Sequence, residues 1–294
     1  MLRPNPITGS DAELLRRKVA GIGLTPWAGH FEAMAQHGIA LCAAEPGEEP
    51  FSRSGCAPTV PPGFVWPHHP APEGDAADFD DPDDMLPTPY AFIAQFDLAE
   101  LAEADVHHIL PPKGLLYFFF PDPEGYGGRD RAEVLFYPDA EAGDTVEYDM
   151  TDPMIAAYTR AWECGPHQYI DEEPVLYRAI GRASVAGPPL WALERQGAGI
   201  PPEVLESVRE SHTWDLDLDP ERTGLMTLLG TERVGPGEYG GRGMFEPWNP
   251  DETMRLLFSP GTWLHSGCPA YFLISDRALR EGDFSAVEVI TPQC

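Results

Sequence analysis

Ala91-Phe92-Ile93-Ala94-Gln95-Phe96-Asp97-Leu98 and, a few residues on, Gly114-Leu115-Leu116-Tyr117-Phe118-Phe119-Phe120 decide the fold class. Each is a brief, almost continuous apolar run, rich in aromatics and bounded by turn residues, which is how a buried strand reads. The first predicts a strand running into a short helix over 99–104, and the second a strand stopped by Pro121. Working outward, 133–137 predicts another strand, 153–162 a helix, 175–180 a strand and 201–211 a helix. Near the end come strands over 254–258 and 271–274, a helical turn over 277–280 and a last strand over 286–290. Neighbouring strand pairs with tight connections favour antiparallel sheet over a βαβ winding. The expected class is mainly β, with α+β as the alternative: an antiparallel β roll with a few peripheral helices.

The first 45 residues read differently, as a helical N-terminal extension to a β-rich domain over 46–294. Ser10 with Glu13 makes a capping box ahead of Leu14, Leu15 and Val19. For a second helix, Thr25 is the expected cap, Pro26 the first helical residue and Gly38 the stop. Trp27, Phe31 and Met34 share one face of it, and core packing is the expected role.

Charge is the most unusual feature of the composition. Asp and Glu number 48 against 19 Lys and Arg, a formal charge of −29. Between Ser54 and Pro112 there is no Lys or Arg, and the stretch Asp75–Asp84 (DAADFDDPDD) reads as a solvated loop. A field of this sign repels phosphate backbones and attracts basic partners, so no direct nucleic-acid contact is expected. The five cysteines are an odd number without a CxxC spacing, as suits reduced thiols in a cytoplasmic protein. The first six residues lead into no apolar leader and no apolar run approaches 18 residues, so neither secretion nor membrane spanning is expected.

Motifs for chemistry are sparse. Tyr126-Gly127-Gly128-Arg129 and Tyr239-Gly240-Gly241-Arg242 repeat one tetrapeptide, but neither is a P-loop or a GxGxxG turn. Asp215, Asp217 and Asp219 open like a calcium loop, yet Pro220 and Met226 stand where Gly and Glu are needed. His68-His69 and His107-His108 are adjacent pairs whose rings diverge on a strand, and HExxH is absent, so no metal site and no cofactor is expected. Cys268 sits in an apolar run before Pro269 and reads as inert, and there is no GxSxG elbow. If a ligand site exists, it is expected between the sheets near Trp66, Gln95 and Asp97, with Tyr126 and Arg129 or Tyr239 and Arg242 closing over it. Gln95 and Asp97 interrupt an apolar run and need partners if buried; a helix cap by Asp97 and backbone bonds by Gln95 are the plainer roles.

Several phrases taken together resemble the YwqG-like family of uncharacterised bacterial proteins. They are Ser54-Gly55-Cys56-Ala57-Pro58, Pro61-Pro62-Gly63-Phe64-Val65-Trp66-Pro67, Phe92 to Leu101, and Leu110 to Phe119. Tyr271-Phe272-Leu273-Ile274 with Leu279 and Asp283-Phe284-Ser285 agree as well. The resemblance covers about residues 50–294 and matches poorly over 140–250. It implies a mainly β roll of antiparallel strands and brings no established activity. The family's Trp-Gly-Asp before the last strands stands here as Leu264-His265-Ser266. Two aromatic strands, each following an apolar one, are also the pattern that an internal duplication would leave.

The expectation is therefore a cytoplasmic binding protein, immunity-like or regulatory, whose acidic surface engages a basic protein partner. The alternative is a small-molecule binder or enzyme with its site between the sheets. Whether the chain is an enzyme, and its oligomeric state, are left open by the sequence.

Overall fold

The computed structural model describes residues 7, 9–45, 47–54, 57–69, 88–120, 128–162, 166, 179–186, 199–204, 226–230, 254–260 and 270–291. Two main sheets carry the chain. The smaller has the order β2-β6-β7-β9, built from Arg53–Ser54 (β2), Ala91–Asp97 (β6), Leu115–Phe120 (β7) and Glu133–Tyr137 (β9). The larger has the order β11-β1-β12-β13-β14-β15-β8. Its strands are Gln36–Ala43 (β1), Gly128–Arg131 (β8), Ala179–Ala186 (β11), Met226–Leu228 (β12), Met254–Ser259 (β13), Tyr271–Ser275 (β14) and Glu288–Thr291 (β15). Two-residue ribbons add Thr59–Val60 (β3) with Val146–Glu147 (β10), and His68–His69 (β4) with Thr88–Pro89 (β5). Every pairing among the described residues is antiparallel. The fold is mainly β with a few short helices, as the aromatic runs imply.

The sheets meet through rings. Phe96 and Phe118 of the small sheet face Phe258 and Phe272 of the large one, with Phe118–Phe258 centroids 4.6 Å apart and Phe118–Phe272 5.3 Å apart. Leu116, Ile93, Leu41, Leu228 and Ile274 fill the space around them. The outer face of the small sheet is apolar too. Phe92, Leu115, Tyr117 and Phe119 lie under Val60, Trp66 and Ile155, the last from helix α4 (Pro153–Trp162). A strand buried on both faces reads as a continuous apolar run, which is why Leu115–Phe120 was so legible.

Among the described residues, helices include α1 (Gly9–Gly21), α2 (Ala28–Met34), α3 (Leu98–Leu101), α4 and α5 (Asp276–Glu281). Leu15, Val19 and Phe31 form a small core between α1 and α2. A single 3-10 turn, Thr25–Trp27, precedes α2; it contains Pro26, and Leu24 flanks it without a side-chain cap. The reading of 1–45 as helical is corrected at its end: α2 stops at Met34 and Gln36–Ala43 is a strand between β11 and β12. Gly38 is no helix stop. A Cβ there would lie 2.2 Å from the Leu229 carbonyl oxygen, so glycine is required by the approach of two backbones. The strand expected over 175–180 begins at Ala179, and 175–178 lie outside the described residues. Of the helix expected over 201–211, residues 202–204 are helical, Pro201 is not, and 205–211 lie outside the described residues.

Phe118→Ala should cost about 3–5 kcal/mol, because it removes a ring packed between both sheets. Urea unfolding followed by circular dichroism checks it; a loss under about 1 kcal/mol would mean the sheets do not depend on this contact.

Candidate functional site

A β-bulge between Phe92 and Ala94 places Gln95 and Asp97 on the outer face of the small sheet, away from the large one. Gln95 is wholly buried: its Oε1 accepts from Thr59 N at 2.9 Å, and its Nε2 donates to Phe51 O at 3.1 Å and to Thr59 Oγ1 at 3.0 Å. Beside it, the Tyr117 hydroxyl donates to Thr59 O at 2.9 Å, and burial pushes that phenol well above its usual range. Trp66 packs under the same layer, donating Nε1–H to Tyr90 O at 2.9 Å and meeting Phe119 edge-on at 5.5 Å. Gln95 and Trp66 thus take structural partners, on the outer layer rather than between the sheets.

Asp97 caps α3, its Oδ1 accepting from Ala99 N at 2.9 Å. Burial raises its pKa, the bond from Ala99 opposes the rise, and the negative charges of Glu100 and Glu141 add to it. Glu100 in turn takes Phe51 N, Ser52 N and Ser52 Oγ at 2.7, 3.0 and 2.7 Å. Arg53 shares the Gln95 row by register, and its Nε and Nη2 are buried without a hydrogen-bond acceptor among the described residues. That edge of a guanidinium is the one that takes a carboxylate or phosphate in two parallel bonds. Sequence reading passed over Arg53 because no motif marks a lone arginine.

The remaining expected residues do not join this face. Arg129 lies on β8, its backbone opposite Ile290 at the far edge of the large sheet. Tyr126, Tyr239 and Arg242 lie outside the described residues, as do Asp215, Asp217, Asp219, Leu264, His265, Ser266 and Cys268.

A second cluster sits where α1, β1 and the loop after α3 meet. His37 Nε2 donates to Asp11 Oδ2 at 3.0 Å, and His37 Nδ1 lies 2.9 Å from His107 Nε2. A carboxylate accepts only, so a His37 hydrogen sits on Nε2, and in the neutral form of the ring Nδ1 presents its lone pair to His107. Asp105 is buried and shapes the loop: its Oδ2 accepts Ile109 N and Leu110 N, both at 2.7 Å. His108 (φ 50°) and Leu229 (φ 51°) are the non-glycine residues in left-handed backbone among the described residues. Both belong to this corner: Leu229 lines a cavity of about 10 Å³ with His37, Gly38, Asp105 and His107, and His108 follows His107 directly. Strained backbone gathers at functional places more often than elsewhere. Adjacency drew attention to His107-His108, whereas the ring that meets His107 is 70 positions away.

Residues 52–194 match the family model of a domain of unknown function (DUF1963). No curated protein matches the chain. The matched stretch resembles an uncharacterised domain family and includes Arg53, Gln95, Asp97 and His107, while Asp11 and His37 fall before it. No described helix is long and apolar enough to cross a membrane.

Asp97→Asn keeps an oxygen at the cap and removes the charge. Because the folded-state pKa of Asp97 is raised, its contribution to stability is present below the unfolded value, about 3.9, and is lost as pH rises through the folded one. The variant should therefore gain on the wild type as pH rises from 3 toward 7, read as the difference in urea midpoint. A gain that shrinks with pH would overturn the assignment.

Proposed function

We propose that the chain is a YwqG-like cytoplasmic binding protein, immunity-like or regulatory, that holds a basic protein partner against an acidic face. One observation supports this above the rest. Along the edge strand β9 and the turns that follow, Glu133, Asp139, Glu141, Asp144, Glu147 and Asp149 are all exposed. Between Arg131 and Arg160 the sequence has no Lys or Arg to answer them. Lys113 comes within 3.7 Å of Asp139, but both side chains are exposed and such a pair contributes little. Val146, 64% exposed, stands among these acids as an apolar centre for a polar rim. Charges so placed raise encounter rates with a basic surface more than they raise affinity.

Native mass spectrometry of the chain extracted gently from its host should show a basic protein bound. Its association should slow as salt rises past about 0.1 M, where screening acts within about 10 Å. Reversing Glu141, Asp144 and Glu147 to Lys should slow association about tenfold or more and leave dissociation little changed. A bare chain, or a partner indifferent to salt, would sink the reading.

A second reading, a small-molecule binder, has Arg53 in its favour. An unpaired buried guanidinium is costly unless an oxyanion meets it. On this reading, phosphate or a small carboxylate raises the melting temperature of the wild type and not of Arg53→Met. No rise in the wild type removes it.

A further inference from the structure

The geometry points to a divalent transition-metal site at His37 Nδ1 and His107 Nε2, with Asp11 as the residue that orients the first ligand. Two imidazole nitrogens bound cis to one ion at about 2.0–2.1 Å stand about 2.9–3.4 Å apart for ligand angles of roughly 90–110°. The observed separation is 2.9 Å, and the two nitrogens face each other across it. The same distance accommodates one hydrogen shared between the rings; an ion bonded to both nitrogens lies to one side of the line joining them, so the exposed His107 ring tilts toward it as that hydrogen leaves. With both rings neutral, the His107 hydrogen moves from Nε2 to Nδ1, each facing nitrogen offers its lone pair, and two metal-bound waters leave. Nothing is oxidised or reduced.

Three features of the surroundings favour the ion. Asp11 already accepts from His37 Nε2 at 3.0 Å, the carboxylate–histidine arrangement that fixes the tautomer and raises ligand basicity at metal centres. Asp105 braces the loop that carries His107 through two 2.7 Å bonds, so the second ligand is held by something other than the first. The cavity beside both rings, about 10 Å³, has room for about one water, which suits a coordination position left to solvent. Among the described residues no third His, Cys, Asp or Glu completes a ligand group. Two imidazoles with water suit Co²⁺, Ni²⁺, Cu²⁺ or Zn²⁺ and give Mg²⁺ or Ca²⁺ nothing they prefer. Such an ion would clip β1 to the loop after α3, joining residues outside the matched stretch to residues inside it.

The test titrates the untagged, metal-stripped full chain with Co²⁺, followed by calorimetry and visible absorption, with excess Mg²⁺ present to occupy the acidic surface. One Co²⁺ per chain with a nitrogen-ligated absorption band is expected. His107→Ala, at an exposed position that should not disturb folding, should weaken binding more than tenfold, as should His37→Ala. Asp11→Ala should weaken it about tenfold while the band keeps its position. Circular dichroism of each variant separates lost ligation from lost fold. Failure of the wild type to bind Co²⁺ under Mg²⁺, or unchanged binding by the His37→Ala/His107→Ala chain, overturns the site.

Discussion

The packing of the two main sheets on each other centres on the ring contact between Phe118 and Phe258. The two residues are 140 positions apart in sequence, and each strand is only 6 residues long. Ladders that short cannot hold two sheets in register with one another, so the packing between layers must do it. Phe118 faces inward by the regular alternation of β7, whereas Phe96 and Phe258, which also meet ring to ring, arrive through bulges. In β6 a bulge between Phe92 and Ala94 lets Ile93 and Ala94 both face inward, after which Phe96 also faces in. In β13 a bulge between Leu256 and Phe258 turns Leu257 and Phe258 inward, whereas Met254 and Leu256 lie on the other face. An extra residue in a strand reverses the alternation beyond it. Without the two bulges, Phe96 and Phe258 would point away from each other.

That reversal also determines what the polar residues of β6 do. Past the bulge, Gln95 and Asp97 face outward, beneath chain segments too short to hold themselves. β2 and β3 have 2 residues each, and a two-residue ladder contributes little order. Side chains supply what the ladders lack. Gln95 ties Phe51 and Thr59 to the sheet, and Glu100 takes three donors from Phe51 and Ser52. Because the amide is fully buried, each bond also removes a desolvation cost, so loss of a partner would hurt more than the bond itself contributes. Arg53 is the exception in this layer, a charge whose buried nitrogens have no acceptor among the described residues.

The sequence was legible where periodicity and boundary residues agreed. Leu115–Phe120, Glu133–Tyr137 and Pro153–Trp162 have the expected bounds because Pro, Gly or Asp stands close to at least one end of each. Residues 36–43 were not legible. The segment QHGIALCA follows a good helical stripe, and Gly38 imitates a helix stop, although it is glycine to admit the Leu229 carbonyl. A close approach between distant backbones leaves no local signature. The same holds for the candidate site: the bulge that turns Gln95 outward and the ring that meets His107 are products of tertiary pairing. Reading β6 as an unbroken alternation puts Gln95 on the side of Ile93, between the sheets, which is where the expectation placed it.

Charge follows a different logic from packing. Apart from Arg53, the described ionisable groups that are well covered are answered within the fold: Asp105 by two backbone donors, Arg255 by Asp276 at the start of α5, and His37 by Asp11. Those answers consume few acids. Most of the described Asp and Glu along 133–149 stay in water, where self-repulsion is weak and spread over a wide surface. The acids along 133–149 therefore keep their negative field through folding, while the sheets beside them pack on aromatic rings. On the proposed reading that field draws in a basic surface, and Val146 amid the exposed acids is its one apolar place to settle.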